Sequence, residues 1–241
     1  MPDFYNSVLK IYPSGLVVKL VCDKQIYNPH GLLNPRVSSA RTPSGLADDD
    51  NAAANLQRSI SRAKAAIADI ILANSFDLFI TLTFDKQFVD RYSYGECIKK
   101  LNVFLDNRVR RRGLKYIIIP EHHKDGAIHF HGLCNDVFKL VDSGIRRNRR
   151  VVFNITDWKI GFTTAVRLDG TYEKVASYIK KYITKDSRKV GGRWYLSGGA
   201  LARPELQYFN SDFNAELGDA FEISNGLLRF KRSVVSPCQD E

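Results

Sequence analysis

Four of the five histidines fall within one stretch, EHHKDGAIHFHGL at 121–133. In an extended strand, residues two apart share a face. His129 and His131 therefore project side by side, so that two imidazoles reach one metal ion, while Phe130 points into a core. LKYIIIPE (114–121), a turn around Lys124-Asp125-Gly126 and AIHFHGLC (127–134) read as a β-hairpin. Its register decides the third ligand. A three-residue loop with Gly126 in the left-handed position sets Glu121 opposite His129. A two-residue Asp-Gly loop sets His122 there instead, because one residue of slip exchanges the inward set. Glu121 is preferred, since two imidazoles and one carboxylate suit a divalent ion with open positions. His122 and His123 are left for supporting hydrogen bonds or DNA contact. A plain alternative is that these histidines are ordinary strand residues with solvated nitrogens.

A second constellation is TYEKVASYIKKYITKD (171–186). At about 100° per residue, Tyr172, Val175, Ala176, Ile179 and Ile183 share one apolar face of a helix. Tyr182 lies at the edge of that face and Tyr178 just outside it, followed by Lys185, Lys174 and Lys181. Two phenols one turn apart thus stand where a buried face meets a lysine stripe. Free tyrosine has a pKa of about 10 and is a weak nucleophile at neutral pH. Neighbouring ammonium groups and a metal-polarised phosphate both favour its attack. The bland reading is a core-rim tyrosine pair beside solvated lysines.

Composition narrows the partner. The chain has 241 residues, a net charge of +10 and 44% apolar residues. The apolar share supports a folded core, and the basic balance points to a polyanion. Arg108, Arg110, Arg111 and Arg112 end one segment, and Arg146, Arg147, Arg149 and Arg150 crowd a basic loop; both are candidate phosphate contacts. The longest apolar run, Ala65–Ala73, is broken by Asp69 and is far short of the ~20 residues a membrane helix needs. The N-terminal residues carry no secretion signal, and a cytoplasmic protein is expected. Cys22, Cys97, Cys134 and Cys238 form no CxxC pair, which fits a reducing compartment and argues against cysteine-bound zinc. HExxH, GxxxxGK[ST] and a strand-borne GxGxxG are all missing from the sequence, which excludes a zincin, a P-loop motor and a Rossmann cofactor site.

The elements that must position these residues follow from periodicity. Residues 1–54 read as an irregular N-terminal segment with one possible strand, LVVKLVC (16–22). From Asn55 to about Ser75, Leu56, Ile60, Ala63, Ile67, Ile70 and Ile71 recur at helical spacing. FDLFITLTF (76–84) reads as a strand, with Ile80, Leu82 and Phe84 on one side and Thr81 and Thr83 on the other. A second helix starts at Ser93, with Glu96 completing a capping box, and stops at Gly113. VVFNI and IGFTTAVRL supply further strands, the Thr171–Lys185 helix follows, and LLRFKRSVV (227–235) is a candidate last strand. The order implies an α+β class with helices against an antiparallel sheet. One domain is expected over 55–241, with its motif core at 76–186 and a C-terminal extension at 187–241.

ITLTF (80–84), EHHKDGAIHFHGL (121–133) and YIKKYITK (178–185) together resemble the three-motif series of the HUH endonucleases, most closely the two-tyrosine rolling-circle replication initiators of microviruses and filamentous phages. RSISRAKAAIADIILANSF ahead of ITLTF also looks like that group. The resemblance implies a ferredoxin-like HUH fold, with a central antiparallel sheet carrying the histidines and the tyrosine helix packed across it. It implies Mg²⁺ or Mn²⁺ held by Glu121, His129 and His131. It further implies Tyr178 and Tyr182 as nucleophiles and Lys181 and Lys185 as the motif's lysines. The expected activity is nicking of single-stranded origin DNA through a 5′-phosphotyrosine, which frees a 3′-OH primer and later allows rejoining. Host helicase and polymerase are the expected partners, in a bacterial cytoplasm if the chain is phage-encoded. A plasmid relaxase, a single-strand transposase, a metal hydrolase with structural tyrosines and a non-catalytic nucleic-acid-binding module are the competing readings.

Overall fold

A computed structural model describes residues 4–27, 49–168, 179, 189–214, 221–224 and 229–235. The strands are β1 (Phe4–Ile11), β2 (Val17–Tyr27), β3 (Leu78–Phe84), β4 (Tyr116–His122), β5 (Ile128–Cys134), β6 (Leu140–Arg147), β7 (Arg150–Ile155), β8 (Gly161–Arg167), β9 (Leu196–Gly198), β10 (Glu205–Phe209), β11 (Phe221–Ser224) and β12 (Arg229–Val235). Two described helices, α1 (Asp49–Ala73) and α2 (Tyr94–Arg112), accompany them. The class is α+β, and the strand pairings are antiparallel.

The chain divides into two compact units, residues 1–62 with 203–241, and residues 63–202. The sequence reading sets an irregular segment to residue 54 apart from one domain over 55–241. The first unit is a five-stranded sheet in the order β10-β1-β2-β12-β11. Val18, Val21 and Cys22 are buried in it. Residues 4–11 form a strand paired on both edges, with β2 next in the chain and with β10 far along it. Ser7 to Ile11 pair with Phe209 to Glu205, and Asn6 exchanges two hydrogen bonds with the Ser211 backbone at 2.7 and 2.8 Å. An irregularity between Tyr5 and Ser7 breaks the local alternation, so periodicity alone does not reveal the strand.

The second unit is built on a seven-stranded sheet, β6-β7-β8-β3-β5-β4-β9. Leu78, Ile80, Leu82 and Phe84 of β3 are fully buried on one face, together with Ile118 of β4, Phe130 of β5 and Ala165 of β8. α2 covers that face with Cys97, Leu101, Phe104 and Leu105. Each of these large side chains contributes roughly 1.5–3 kcal/mol by leaving water. Phe84 meets Phe130 edge-on at 6.0 Å and Trp158 at 5.0 Å, and Trp158 meets Phe104 at 4.9 Å. The ends of α2 are set by its caps. Ser93 Oγ accepts from the Glu96 amide, and Gly113 closes the helix at φ 63°. The Glu96 carboxylate accepts from the Asp90 amide at 3.3 Å.

The opposite face of the sheet carries Thr81, Thr83, His129, His131 and Glu121, one residue out of phase with the core set. Ile117, Ile119 and Leu133 share that face and are also buried. The basic loop expected at 146–150 is instead the tip of the β6–β7 hairpin, in which Arg147 faces Arg150. Asn148 and Arg149 form its turn with φ of 49° and 65°. That is the geometry of a two-residue type I′ connection, whose twist matches the flanking strands.

Asp157 ties α2 to the start of β6. It accepts from Arg112 at 3.0 Å and from the Lys139 amide at 2.9 Å, and Arg108 lies at 3.5 Å. Burial alone would raise its pKa. The Lys139 amide and the Arg112 and Arg108 guanidinium groups outweigh that and hold it below the ordinary carboxylate value. A depressed carboxylate stabilises the fold above its unfolded pKa of about 3.9, and the contribution disappears as pH falls through the folded value. Asp157→Asn is expected to cost about 2–4 kcal/mol at pH 7, and urea denaturation should show that gap closing below pH ~4.

Candidate active site

The local sequence imposes the site's register. Gly126 sits at φ 87°, the His123 amide donates to Ala127 O at 2.7 Å, and the Gly126 amide donates to His123 O at 2.8 Å. A left-handed residue there closes a three-residue loop, for which glycine carries no Cβ penalty. Asp125 accepts from the Ala127 amide at 3.0 Å, and that bond is the largest influence holding its carboxyl below the usual range. With the loop closed this way, Glu121 pairs with His129 and His122 pairs with Ile128.

Both histidines are held from the adjacent strand. β3 pairs with β5 so that Thr81 faces His131 and Thr83 faces His129. The Thr81 hydroxyl lies 3.1 Å from His131 Nδ1, and the Thr83 hydroxyl 3.2 Å from His129 Nδ1. The two threonines of ITLTF thus engage the Nδ1 nitrogen of each ring. A hydrogen bond to the non-ligating nitrogen is the usual way to fix ring orientation and tautomer in a metal-binding histidine. Trp158 donates its indole N–H to Thr83 O at 3.1 Å, which anchors this end of β3.

Glu121 is only 3% exposed. Its carboxylate lies 2.9 Å from His131 Nε2. Both ring nitrogens of His131 thus lie against a polar neighbour, the Thr81 hydroxyl at Nδ1 and Glu121 at Nε2. His123 stacks on His129 with ring centroids 4.8 Å apart and contacts Asp125 at 3.1 Å. His122 lies with its Nδ1 3.2 Å from Gly126 O. Burial lowers the pKa of His129, and the His123 charge lowers it further, against smaller opposing effects from Asp125 and Glu121.

As donors, one carboxylate and two imidazoles on adjacent strands fit a divalent ion, and neutral imidazoles are the form that binds metal. Among the described residues no three His, Cys, Asp or Glu side chains converge as a ready cage. Glu121 and His131 instead hold each other directly.

The other expected site residues divide. Tyr178, Tyr182, Lys181 and Lys185 lie outside the described residues; of that segment Ile179 is described, and it is fully buried. Arg108 and Arg112 are engaged with Asp157. Arg110 and Arg111 are exposed at the end of α2, and Arg146, Arg147, Arg149 and Arg150 are exposed on the β6–β7 hairpin. Arg146 forms two 3.0 Å hydrogen bonds with Asp142. Sequence alone does not single out Thr81 and Thr83 as site residues. Their signal is the alternation of ITLTF combined with antiparallel pairing to HFH, which only a defined register converts into contact.

Residues 77–187 match the family model described as Replication-associated protein ORF2/G2P, a little under half of the chain. That span contains β3 to β8 and the Glu121, His129 and His131 set. The searches of curated proteins and of solved structures gave no match. No helix among the described residues is long and apolar enough to cross a membrane.

The lowered His129 pKa has a defined pH signature. Above the ordinary imidazole value near 6.5 both the folded and unfolded chains hold this ring neutral. As pH falls below it, the unfolded chain takes up the proton first, so the folded state loses stability on the acid side. NMR titration should place the His129 midpoint below 6.5. Denaturation at pH 7.5 and 5.5 should show that His129→Gln loses less stability on acidification than the unaltered protein.

Proposed function

We propose that this chain is a replication initiation endonuclease of the HUH type, a DNA strand transferase that nicks single-stranded origin DNA. The observation that carries the reading is the threonine-held histidine pair beside a buried glutamate, within a segment that matches a replication-associated family. In this reading Glu121, His129 and His131 hold Mg²⁺ or Mn²⁺. When bound, the ion polarises the scissile phosphate and orients it for in-line attack.

The chain's own residues supply the rest. Thr81 and Thr83 hold the imidazoles through their Nδ1 nitrogens. In the set of Glu121, His129 and His131, His131 would bind through a deprotonated Nε2, with its ring proton on Nδ1 toward the Thr81 hydroxyl. The Tyr178 or Tyr182 oxygen attacks phosphorus, its proton is lost to solvent, and the 3′ oxygen of the preceding nucleotide leaves as the free primer hydroxyl. Because the phosphodiester becomes a phosphotyrosine ester, the bond energy is retained, and a 3′-OH can reverse the step without ATP. The second tyrosine serves a second transfer at the regenerated junction. Lys181 and Lys185 favour the phenolate by charge. Arg110, Arg111 and the arginines of the β6–β7 hairpin add salt-sensitive phosphate affinity. The ferredoxin-like arrangement, host helicase and polymerase partners and a bacterial cytoplasmic setting belong to the same proposal.

The test is a denaturing gel of the protein with end-labelled single-stranded origin DNA and Mn²⁺. A covalent adduct is expected that disappears in the Tyr178→Phe, Tyr182→Phe double variant. His129→Ala should reduce cleavage at least a hundredfold while leaving binding at low salt within a few-fold. Cleavage without an adduct would instead identify a metal hydrolase, and binding without cleavage a non-catalytic module.

A further inference from the structure

Among the described residues of the second unit, three aromatic side chains stay largely exposed: Phe88 at 55%, Tyr92 at 59% and Phe162 at 67%. Isolated exposed aromatics are ordinary. These three, however, are gathered at one end of the sheet, the end that carries His129 and Glu121. Phe162 lies at the start of β8, directly opposite Thr83. Thr83 in turn faces His129, and His129 faces Glu121. Phe162, Thr83, His129 and Glu121 therefore form one row across four neighbouring strands. At about 4.8 Å per strand, Phe162 stands roughly 10 Å from His129. Tyr92 lies beside the hairpin turn: a Cβ placed on Gly126 would lie 3.9 Å from its ring. The neighbouring Arg91 carbonyl accepts from Ile128 at 2.9 Å.

The position of Phe162 is imposed by the backbone before it. A Cβ on Gly161 would lie 2.0 Å from Thr83 O and 2.7 Å from the Asp85 amide. Only glycine lets β8 approach β3 this closely, and the next residue is then presented beside Thr83. Charge at this end is mixed. Lys86, Lys124 and Lys159 are exposed there. Asp85, Asp90 and Asp125 lie beside them and accept from the backbone amides of Gln87, Tyr92 and Ala127.

We infer that Phe162 and Tyr92 form a base-stacking platform that positions single-stranded DNA across the His129–Glu121 row, with Phe88 extending it. The inference rests on the nuclease reading for the polarity of the strand, but the stacking itself is independent of metal. Stacking explains why the rim is aromatic, since every base presents a π-face and the platform accepts strands of varied sequence. A duplex keeps its bases paired and offers none, so the platform selects single strands.

The test uses the full chain in EDTA without added divalent ion, so that no cleavage occurs. Fluorescence anisotropy is measured with a labelled oligo-dT and with an abasic oligonucleotide of equal length and charge. Phe162→Ala and Tyr92→Ala are expected to weaken oligo-dT binding at least about fivefold each and to leave abasic binding within twofold. Phe162→Tyr should retain wild-type affinity. Equal loss on both oligonucleotides, no loss on either, or tighter binding of a matched duplex would overturn the platform. An adduct that forms normally with a silent Phe162→Ala would sink the platform alone. Base-dependent loss without any tyrosine adduct would sink the nuclease reading alone.

Discussion

The pairing of β4 with β5 is the constraint on which the candidate site depends. Gly126 at φ 87° closes a three-residue loop, and this choice puts Glu121 across from His129. A loop shorter by one residue would turn Glu121 into the α2-covered core and bring His122 to the histidine face. A carboxylate there would displace apolar packing around Phe130 and Ile118, at a desolvation cost of several kcal/mol. Core burial on one face and polar chemistry on the other therefore enforce the same register. The glutamate can be deeply buried because it has a direct partner in His131 at 2.9 Å.

A second layer of the same logic joins β3 to β5. The apolar set Leu78, Ile80, Leu82 and Phe84 is drawn into the core, so Thr81 and Thr83 necessarily face the other way and meet the two imidazoles. The threonines are good strand formers, and their hydroxyls are short and stiff at χ1. Ring orientation is thus inherited from the sheet and does not rely on long flexible side chains. This is the kind of support a site needs if donors are to stay within a fraction of an ångström of a working geometry.

Positive charge separates into two uses. Arg108 and Arg112 converge on one half-buried carboxylate, Asp157, and secure the end of α2 against the sheet. Arg110, Arg111 and the β6–β7 hairpin remain at the surface. A run such as RVRRR reads uniformly as a basic patch, yet helical spacing sends alternate members to different environments. Which arginine is structural depends on where Asp157 lies, and nothing in the run itself reveals that.

Local pattern determined a great deal here. Strand β3, helix α2 with its Ser93 and Gly113 caps, the β4–β5 hairpin and the shared face of His129 and His131 all follow from short-range periodicity and turn chemistry. Each of those signals spans only a few residues and is enforced by backbone sterics. Other features were decided by contacts between residues distant in sequence. The N-terminal strand is paired on one edge by β10, from about two hundred residues away. The threonine–imidazole bonds, the Asp157 hub and the placement of Phe162 beside Thr83 arise from strand order and register. Strand order is a property of the whole core, chosen by which faces can be buried together, so it becomes definite only when the chain has folded.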